Sequence, residues 1–205
     1  MLEIIIEATK ARTAPNFLLK DIPGTTGRLD VIIRSLIAAF SFPKKVINNL
    51  IFTIILLGLP DPPKLFKFHG KEFQSPKNEI DGALLFKDLI KKSMRIENET
   101  NIIDGVDFIR MELKDYIDIK LQNGELVFYL IQNGNPMDLL LNKIKSNKRS
   151  YINILIGDQL GFKTETLNYL REKCYGVKLR GNKSYLSSQC LKYIVFELEK
   201  IDNFK

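Results

Sequence analysis

Apolar residues along the chain fall into two kinds of segment. Short runs rich in isoleucine, leucine and phenylalanine predict strands, and longer stretches with apolar residues three or four positions apart predict helices. The predicted strands are residues 4–8, 50–59, 64–68, 106–111, 128–131, 151–156 and 177–179. The predicted helices are residues 25–40, 79–94, 137–144, 163–173 and 184–200. Strands that alternate with helices in this order are typical of a single α/β domain with a mostly parallel sheet sandwiched by helices.

Three local patterns refine this prediction. The run at residues 50–59 is continuously apolar, which predicts a strand buried on both faces of the sheet. The helix at residues 79–94 is expected to pack through Ile80, Ala83, Leu84, Leu89 and Ile90. Asn123 and Gly124 predict a turn, preceded by either a strand or a helix.

Composition narrows the class of protein. With 205 residues and 45% hydrophobic content, the chain can bury a core without disulfides, and its formal charge of +7 favours an anionic partner. Two cysteines and one histidine, His69, argue against a structural zinc site and a histidine-based triad. The first residues lack the basic segment of a signal peptide, and no apolar run reaches the ~20 residues of a membrane span. We therefore expect a soluble protein of the cytoplasm, without a metal.

Three glycine-containing loops follow predicted strands in the last third of the chain, at residues 130–134, 156–161 and 179–183. In an open α/β sheet, ligands bind outside the carboxyl ends of the strands, where glycine lets the backbone approach them closely. None of these loops matches the dinucleotide fingerprint or the Walker phosphate loop. We therefore expect a ligand other than a dinucleotide or a triphosphate.

The order of these motifs resembles the SPOUT methyltransferases, and among them the archaeal tRNA pseudouridine N1-methyltransferases. In the C-terminal half the resemblance rests on residues 155–162 (LIGDQLGF), 180–186 (RGNKSYL) and 187–190 (SSQC). In the N-terminal half it rests on residues 13–15 (TAP), 19–24 (LKDIPG), 27–31 (GRLDV), Arg34 and 59–64 (LPDPPK). The resemblance covers nearly the whole chain and is weakest over residues 98–122.

The resemblance implies a C-terminal trefoil knot, a homodimer, S-adenosylmethionine as methyl donor, and pseudouridine 54 of the tRNA T-loop as acceptor. It assigns the N-terminal half to the substrate side and residues 126–205 to the knotted, cofactor-binding part of a single domain. The residues expected to line the cofactor, largely through their backbone, are Leu130, Gly157, Leu179, Arg180, Gly181, Ser184, Tyr185, Leu186 and Cys190. For the dimer interface, the last helix offers an apolar stripe of Leu191, Ile194, Val195, Leu198 and Ile201.

Methyl transfer from a sulfonium is a direct displacement that needs no metal and no covalent intermediate on the protein. N1 of pseudouridine must lose a proton, and a carboxylate within hydrogen-bond reach can accept it. Asp30 is the candidate for this catalytic role, with Arg28 and Arg34 binding a phosphate or stabilising charge on the uracil ring. The other interpretation of Asp30 is a first-turn carboxylate stabilised by the helix dipole. Cys190 is expected to line the cofactor rather than to act as a nucleophile.

The chain departs from the family pattern after its first long helix. Where the family has a Ser-His-x-x-Arg element, residues 41–45 contain neither the histidine nor the arginine, and Gln159 and Gln189 stand where the family has histidines. Three alternatives therefore stay open. They are a methyltransferase acting on pseudouridine in ribosomal RNA, a catalytically silent knotted module that binds RNA, and an α/β enzyme with a small-molecule substrate. The basic charge and the lack of a nucleophile–base pair argue against the third.

Overall fold

One eight-stranded sheet passes through the described part of the chain, which in this computed structural model comprises residues 1–146, 151–181 and 185–200. Its strands are β1 (Leu2–Arg12), β2 (Leu50–Gly58), β3 (Lys64–His69), β4 (Thr100–Ile103), β5 (Val106–Ile109), β6 (Leu126–Pro136), β7 (Ile152–Gly157) and β8 (Tyr175–Lys178). They lie in the order β4-β5-β3-β2-β1-β7-β6-β8. The helices are α1 (Ile22–Thr25), α2 (Leu29–Ala39), α3 (Lys44–Ile47), α4 (Glu79–Ser93), α5 (Leu113–Gln122), α6 (Met137–Ser146), α7 (Thr164–Lys173) and α8 (Ser187–Glu199).

The sheet has a parallel part and an antiparallel part. The neighbours β2, β1, β7, β6 and β8 run parallel, whereas β3, β5 and β4 extend the sheet with antiparallel pairings. The predicted α/β class is confirmed, but the prediction of a mostly parallel sheet holds only for the five-strand part. The connection explains the difference: residues 59–63 alone join β2 to β3, and a parallel crossover needs a dozen or more residues.

Helices cover both faces of the parallel part. Ile4 and Ile6 of β1 belong to one core, which they share with α2, α4, α6 and α8. Ile5 points to the opposite face and belongs to a second core, formed with α5 and α7. Strand β2 is also buried on both sides, as its continuous apolar run predicts. This double burial fixes the carboxyl ends of β1, β2 and β7 at one edge of the sheet, in a common register.

Two details of the predicted elements differ in the structure. Strand β4 was not predicted, because it is a four-residue edge strand that follows a polar stretch. In α4, Ile80 and Leu84 are 56% and 48% exposed, since the helix packs through a neighbouring face that contains Ala83, Phe86 and Ile90. The segment before the Asn123–Gly124 turn is helical (α5).

The apolar stripe of the last helix is buried within its own chain. Leu191, Ile194, Val195 and Leu198 are at most 1% exposed and belong to the core that α8 shares with α2, while Ile201 lies outside the described residues. The expectation that this stripe forms a dimer interface is therefore wrong for these four residues. Within the described ranges, no helix has both the length and the apolar character needed to cross a membrane.

Candidate functional site

The glycine-containing segments lie at the carboxyl ends of β6, β7 and β8, with two differences from the prediction. Residues 130–134 are part of β6 rather than a loop after it, and residues 182–183 lie outside the described residues. Leu130 lies in β6 where that strand pairs with β8. The hydroxyl of Ser187, at the start of α8, donates to the carbonyl oxygen of Gly157 at the end of β7, over 2.8 Å. The hydroxyl of Tyr185 donates to the carbonyl oxygen of Arg180 over 3.5 Å. These contacts bring four separate segments of the chain to one surface.

The turn after β7 is held to the first strand by one carboxylate. Asp158 is 7% exposed, and its carboxylate accepts hydrogen bonds from the N–H and the hydroxyl of Thr9, at 2.8 and 2.5 Å, and from the N–H of Leu160 at 2.8 Å. The turn is tight: a Cβ added to Gly157 would lie 2.7 Å from the Cα of Gly161, which itself has a φ of +78°. A side chain at position 157 would therefore displace the turn.

Strand β6 departs from its regular ladder beside this turn. Both Leu130 and Asn135 pair with Val177 of β8, so residues 131–134 lie outside the regular pairing. Gly134 returns so close to β8 that an added Cβ would lie 2.6 Å from the carbonyl carbon of Val177. The amide of Asn135 also donates to the carbonyl oxygen of Gly176 over 3.0 Å. The excursion thus brings extra backbone to the carboxyl edge of the sheet.

The segment between β8 and α8 adds apolar and backbone groups to the surface. Leu179 packs against the core, Gly181 has a φ of +97°, and Leu186 is 65% exposed. The guanidinium of Arg180 lies 3.3 Å from the carboxylate of Asp138, and both groups are exposed. Ser184 lies outside the described residues. The surface is suited to a ligand held by backbone groups and apolar contact rather than by a buried charge.

Neither cysteine has the environment of a nucleophile. Burial raises the pKa of the Cys190 thiol to about 11 and that of the Cys174 thiol to about 12. Both thiols are therefore neutral at physiological pH, and a neutral thiol is a poor nucleophile. Across residues 1–146, 151–181 and 185–200, no three His, Cys, Asp or Glu side chains cluster in a way that would hold a metal ion.

The sequence-predicted charged residues lie together at the start of α2. Asp30 is 1% exposed, and its carboxylate accepts two hydrogen bonds from Arg28 (3.0 and 3.2 Å) and one from Arg34 (2.6 Å). Arg34 also contacts Glu79 at 3.1 Å. Burial raises the pKa of Asp30, but hydrogen bonds and charge from the two arginines outweigh this effect and lower the pKa. Asp30 is therefore ionised, and it orients two half-exposed guanidinium groups.

The backbone at Arg28 helps to shape this group. Arg28 has a φ of +73°, in the left-handed region that non-glycine residues seldom adopt, and it follows Gly27 at +64°. The helix begins at Leu29, whose N–H donates to the hydroxyl of Thr26 over 3.0 Å. The predicted start at residue 25 was too early because these left-handed residues interrupt the helical pattern. Strained conformations of this kind are found at functional sites more often than elsewhere.

The arginine group, which consists of Arg28, Asp30 and Arg34, lies at the same edge of the sheet as the glycine loops. The N–H of Arg12, the last residue of β1, donates to the carbonyl oxygen of Thr26 over 2.9 Å. Gly27 is packed so tightly against the backbone of Lys10 that a Cβ would overlap it. Thr9, one residue earlier in β1, binds Asp158 of the glycine turn. The last residues of β1 therefore connect the two groups.

A cleft of about 490 Å³ opens between the ends of β1 and β2. Its lining consists of Thr9, Lys10, Arg12, Leu57, Gly58, Leu59 and Pro60. The sequence analysis gave Thr9, Lys10 and Arg12 no role. Their position in the sequence could have identified them, because polar and basic residues directly follow a buried apolar run. In α/β proteins, ligands bind at this carboxyl end of the strands.

Glu7 is a second residue that the sequence analysis missed. It is 3% exposed, pairs in register with Gly157, and accepts a hydrogen bond from the hydroxyl of Thr166 over 2.9 Å. Burial raises the pKa of its carboxyl group. The available signal was a charged residue within the predicted strand, directly after three isoleucines. Its Oε1 accepts the bond from Thr166, and its Oε2 is buried with no hydrogen-bond partner among the described residues.

Comparison with known proteins identifies the class. Residues 1–202 match the family of SAM-dependent RNA methyltransferases. The chain belongs to this family, and it is therefore an enzyme that uses S-adenosylmethionine as its methyl donor. The resemblance predicted from the motifs is confirmed.

Curated relatives align over nearly the entire chain. The tRNA (pseudouridine(54)-N(1))-methyltransferase of Pyrococcus abyssi is 31% identical, with 96% of this chain and 97% of the relative covered. The enzyme of the same name from Thermococcus onnurineus is also 31% identical, with 98% of each chain covered. Among solved structures, Archaeoglobus fulgidus Nep1 bound to S-adenosylhomocysteine has a similar fold, with a TM-score of 0.66, 16% identity and 97% of both chains covered.

The tight turn at Gly157 generates a direct prediction about the methyl donor. Gly157→Val should weaken S-adenosylmethionine binding roughly tenfold or more, because the new side chain collides with Gly161 and displaces the turn. Titration calorimetry measures the affinity. Gly124→Ala is the control for backbone strain: Gly124 has a φ of +72°, so the substitution strains a turn at the amino end of β6, but the added Cβ has no described atom within 4 Å and the affinity should stay at the wild-type value. Wild-type affinity in Gly157→Val would place the donor elsewhere.

Proposed function

We propose that this enzyme transfers the methyl group of S-adenosylmethionine to N1 of pseudouridine 54 in the T-loop of tRNA. Archaeal relatives that carry this name and align over nearly the whole chain support the proposal. The structural observation that carries it is the contact between Asp158 and Thr9. Through this contact, a backbone-rich surface suited to the donor adjoins a cationic surface suited to RNA.

The glycine loops fit the donor because, without side chains, their backbone groups can approach a ligand closely. At Gly134 and Gly157 a Cβ would collide with neighbouring backbone, so these segments approach one another more closely than other residues allow. S-adenosylmethionine supplies an electrophilic methyl group on a sulfonium sulfur. The residues that we propose to hold it, mainly through their backbone, are Leu130, Gly157, Leu179, Arg180, Gly181, Tyr185, Leu186 and Cys190. Ser184, the remaining sequence candidate, lies outside the described residues.

The arginine group is suited to an RNA phosphate. The side chains of Arg28 and Arg34 are each 45% exposed, and both guanidinium groups are oriented by the buried Asp30 carboxylate. A fixed pair of guanidinium groups matches the geometry of phosphate oxygens. The overall charge of +7 attracts the polyanion from a distance. We therefore assign Arg28 and Arg34 to binding the acceptor RNA.

The geometry around Asp30 favours positioning of the arginines over acceptance of the N1 proton. As the acceptor of the N1 proton it needs a free oxygen, whereas both of its oxygens are hydrogen bonded to arginines and its pKa is lowered. A carboxylate stabilised in its ionised form is a weak base. We propose that Asp30 positions Arg28 and Arg34, and we keep general-base action as the alternative to be tested.

The resemblance to SPOUT enzymes extends the proposal to a knotted chain and a dimer. We propose a single domain in which the segment after β6 is threaded into a trefoil knot. The support for this threading is the similarity of residues 155–162 and 180–190 to SPOUT motifs. We also propose a homodimer, supported by Leu160 and Phe196, two large apolar side chains that are 60% and 57% exposed. The free thiols of Cys174 and Cys190 support a cytoplasmic location.

The proposed reaction is tested with purified components. The protein is incubated with S-adenosylmethionine and tRNA that carries pseudouridine at position 54, and methylated nucleosides are mapped by mass spectrometry. We expect one N1-methylpseudouridine per tRNA, and none in a matched tRNA with uridine at that position, because C5-linkage frees N1 for methylation. Methylation of a ribosomal RNA fragment instead would favour the ribosomal alternative. Tight tRNA binding without methyl transfer would favour the silent module.

The two roles of Asp30 make different kinetic predictions. If Asp30 positions the arginines, Asp30→Asn should raise KM for tRNA, because the two guanidinium groups are no longer held by a carboxylate. Arg34→Ala should also raise KM for tRNA, because it removes one of the two guanidinium groups. Affinity for S-adenosylmethionine should stay at the wild-type value in both variants. Steady-state methylation with each substrate titrated separately makes the measurement, and Asp88→Asn, which changes a half-exposed carboxylate on α4, is the control. A fall in kcat of roughly 10²-fold with unchanged KM would instead assign Asp30 the base role.

A further inference from the structure

The loop between β2 and β3 holds an exposed leucine on a firmly attached backbone. Leu59 is 75% exposed. Its carbonyl oxygen accepts a hydrogen bond from the N–H of Thr13 (3.3 Å), whose hydroxyl donates to the carbonyl oxygen of Gly58 (2.7 Å) and accepts from the N–H of Asp61 (2.7 Å). Thr13 is 1% exposed, so the loop is bound on both sides of Leu59 to a buried anchor.

Asp61 fixes the other half of the same loop. Its carboxylate accepts two hydrogen bonds from the guanidinium of Arg110, both at 2.8 Å, and one from the ammonium of Lys64 at 2.8 Å. The side chain of Lys64 is fully buried. The hydrogen bonds from Arg110, followed by that from Lys64, lower the pKa of Asp61 well below its usual range. Such charge-assisted, bidentate pairs are among the stronger hydrogen bonds in proteins.

Isolated exposed leucines are common and need no explanation, so the surroundings of Leu59 decide its meaning. Leu59, Pro60 and Leu57 form the apolar side of the 490 Å³ cleft, and the exposed Lys10 and Arg12 form its other side. An apolar surface paired with two cations suits a nucleobase with its flanking phosphates. The volume lies within the ~300–1,000 Å³ typical of small-ligand sites.

We propose that this cleft receives the base that is extruded from the RNA, with Leu59 and Pro60 packed against the ring and Lys10 and Arg12 bound to the adjoining phosphates. The inference rests on the proposed function, since a base that is modified by an enzyme must leave its stack to reach the reactive group. The cleft lies beside the proposed donor site, because Thr9 of its lining binds Asp158 in the turn after β7, which we call the donor turn. Asp61 and Arg110 act as positioning residues, because they hold the loop without lining the cleft.

Leu59→Ala is the central test. We expect kcat/KM for tRNA to fall roughly tenfold, with affinity for S-adenosylmethionine unchanged, because Leu59 lies outside the donor loops. Leu59→Met, which preserves an apolar side chain of similar size, should recover most of the loss. Leu84→Ala is the matched control, a leucine of 48% exposure on α4. Wild-type kcat/KM in Leu59→Ala would overturn the proposal.

A second readout separates this inference from the proposed reaction. A T-arm RNA hairpin with 2-aminopurine beside the target nucleotide becomes more fluorescent when the target base leaves the stack. Wild-type protein should raise the fluorescence at saturating concentration, and Leu59→Ala should raise it less, whether or not methyl transfer follows. If the wild type produces the Leu59-dependent signal but no methylated pseudouridine, the cleft assignment stands and the proposed reaction fails. An equal rise with both proteins would refute the cleft assignment even if the reaction is confirmed.

Discussion

The hydrogen bonds between Asp158 and Thr9 are the contact on which the site depends. They join residues 149 positions apart, at the ends of the adjacent parallel strands β1 and β7. A buried carboxylate is stable only when its oxygens are hydrogen bonded, and here Thr9 and Leu160 supply three donors. The turn after β7 is consequently held to β1, whose last residue, Arg12, also contacts Thr26 just before α2. Without this link, the glycine loops and the arginine group would be two separate surfaces.

The antiparallel edge of the sheet supports the site from the side. Strands β3 and β5 pair with Leu65 opposite Ile109. The next residues along these strands, Lys64 and Arg110, are therefore close together, and both bind the carboxylate of Asp61. The three antiparallel strands thus do more than extend the sheet. They supply the cations that hold the loop after β2, and this loop forms the apolar wall of the cleft. The short β2–β3 connection, which departs from the parallel pattern, is what brings these groups together.

The sequence predicted the parts of the fold that depend on local patterns. The continuous apolar run of β2 identified a strand buried on both faces, and the apolar runs of β1 and β7 identified strands. Gly161 and Gly181 marked turns after β7 and β8. The spacing of Asp30 and Arg34 placed them one helical turn apart, and the structure shows that they form an ion pair. These features were predictable because each is encoded within a few neighbouring residues. The family resemblance then related these features to one another, because their motifs occur in the same order as in the family.

Features that depend on distant pairing were not predictable. Nothing local to Thr9 indicates that it binds Asp158, and the apolar stripe of α8 has the same pattern whether it packs against its own core or against a second chain. The exposure of Ile80 and Leu84 likewise depends on which face of α4 the sheet and α2 leave uncovered. Arg28 in a left-handed conformation is a product of the close packing between Gly27 and β1. In each case tertiary contact decides among outcomes that the local sequence allows.

The central claim is that Asp158 makes one site from two halves of the chain. Steady-state methylation by Asp158→Ala, with the donor and tRNA titrated separately, tests it most directly. Asp88→Ala serves as control, because that carboxylate is 50% exposed and pairs with Lys92 on the same helix, α4. The account predicts that Asp158→Ala raises KM for both substrates while Asp88→Ala raises neither to the same extent. A raised KM for S-adenosylmethionine alone, with wild-type KM for tRNA, would contradict it.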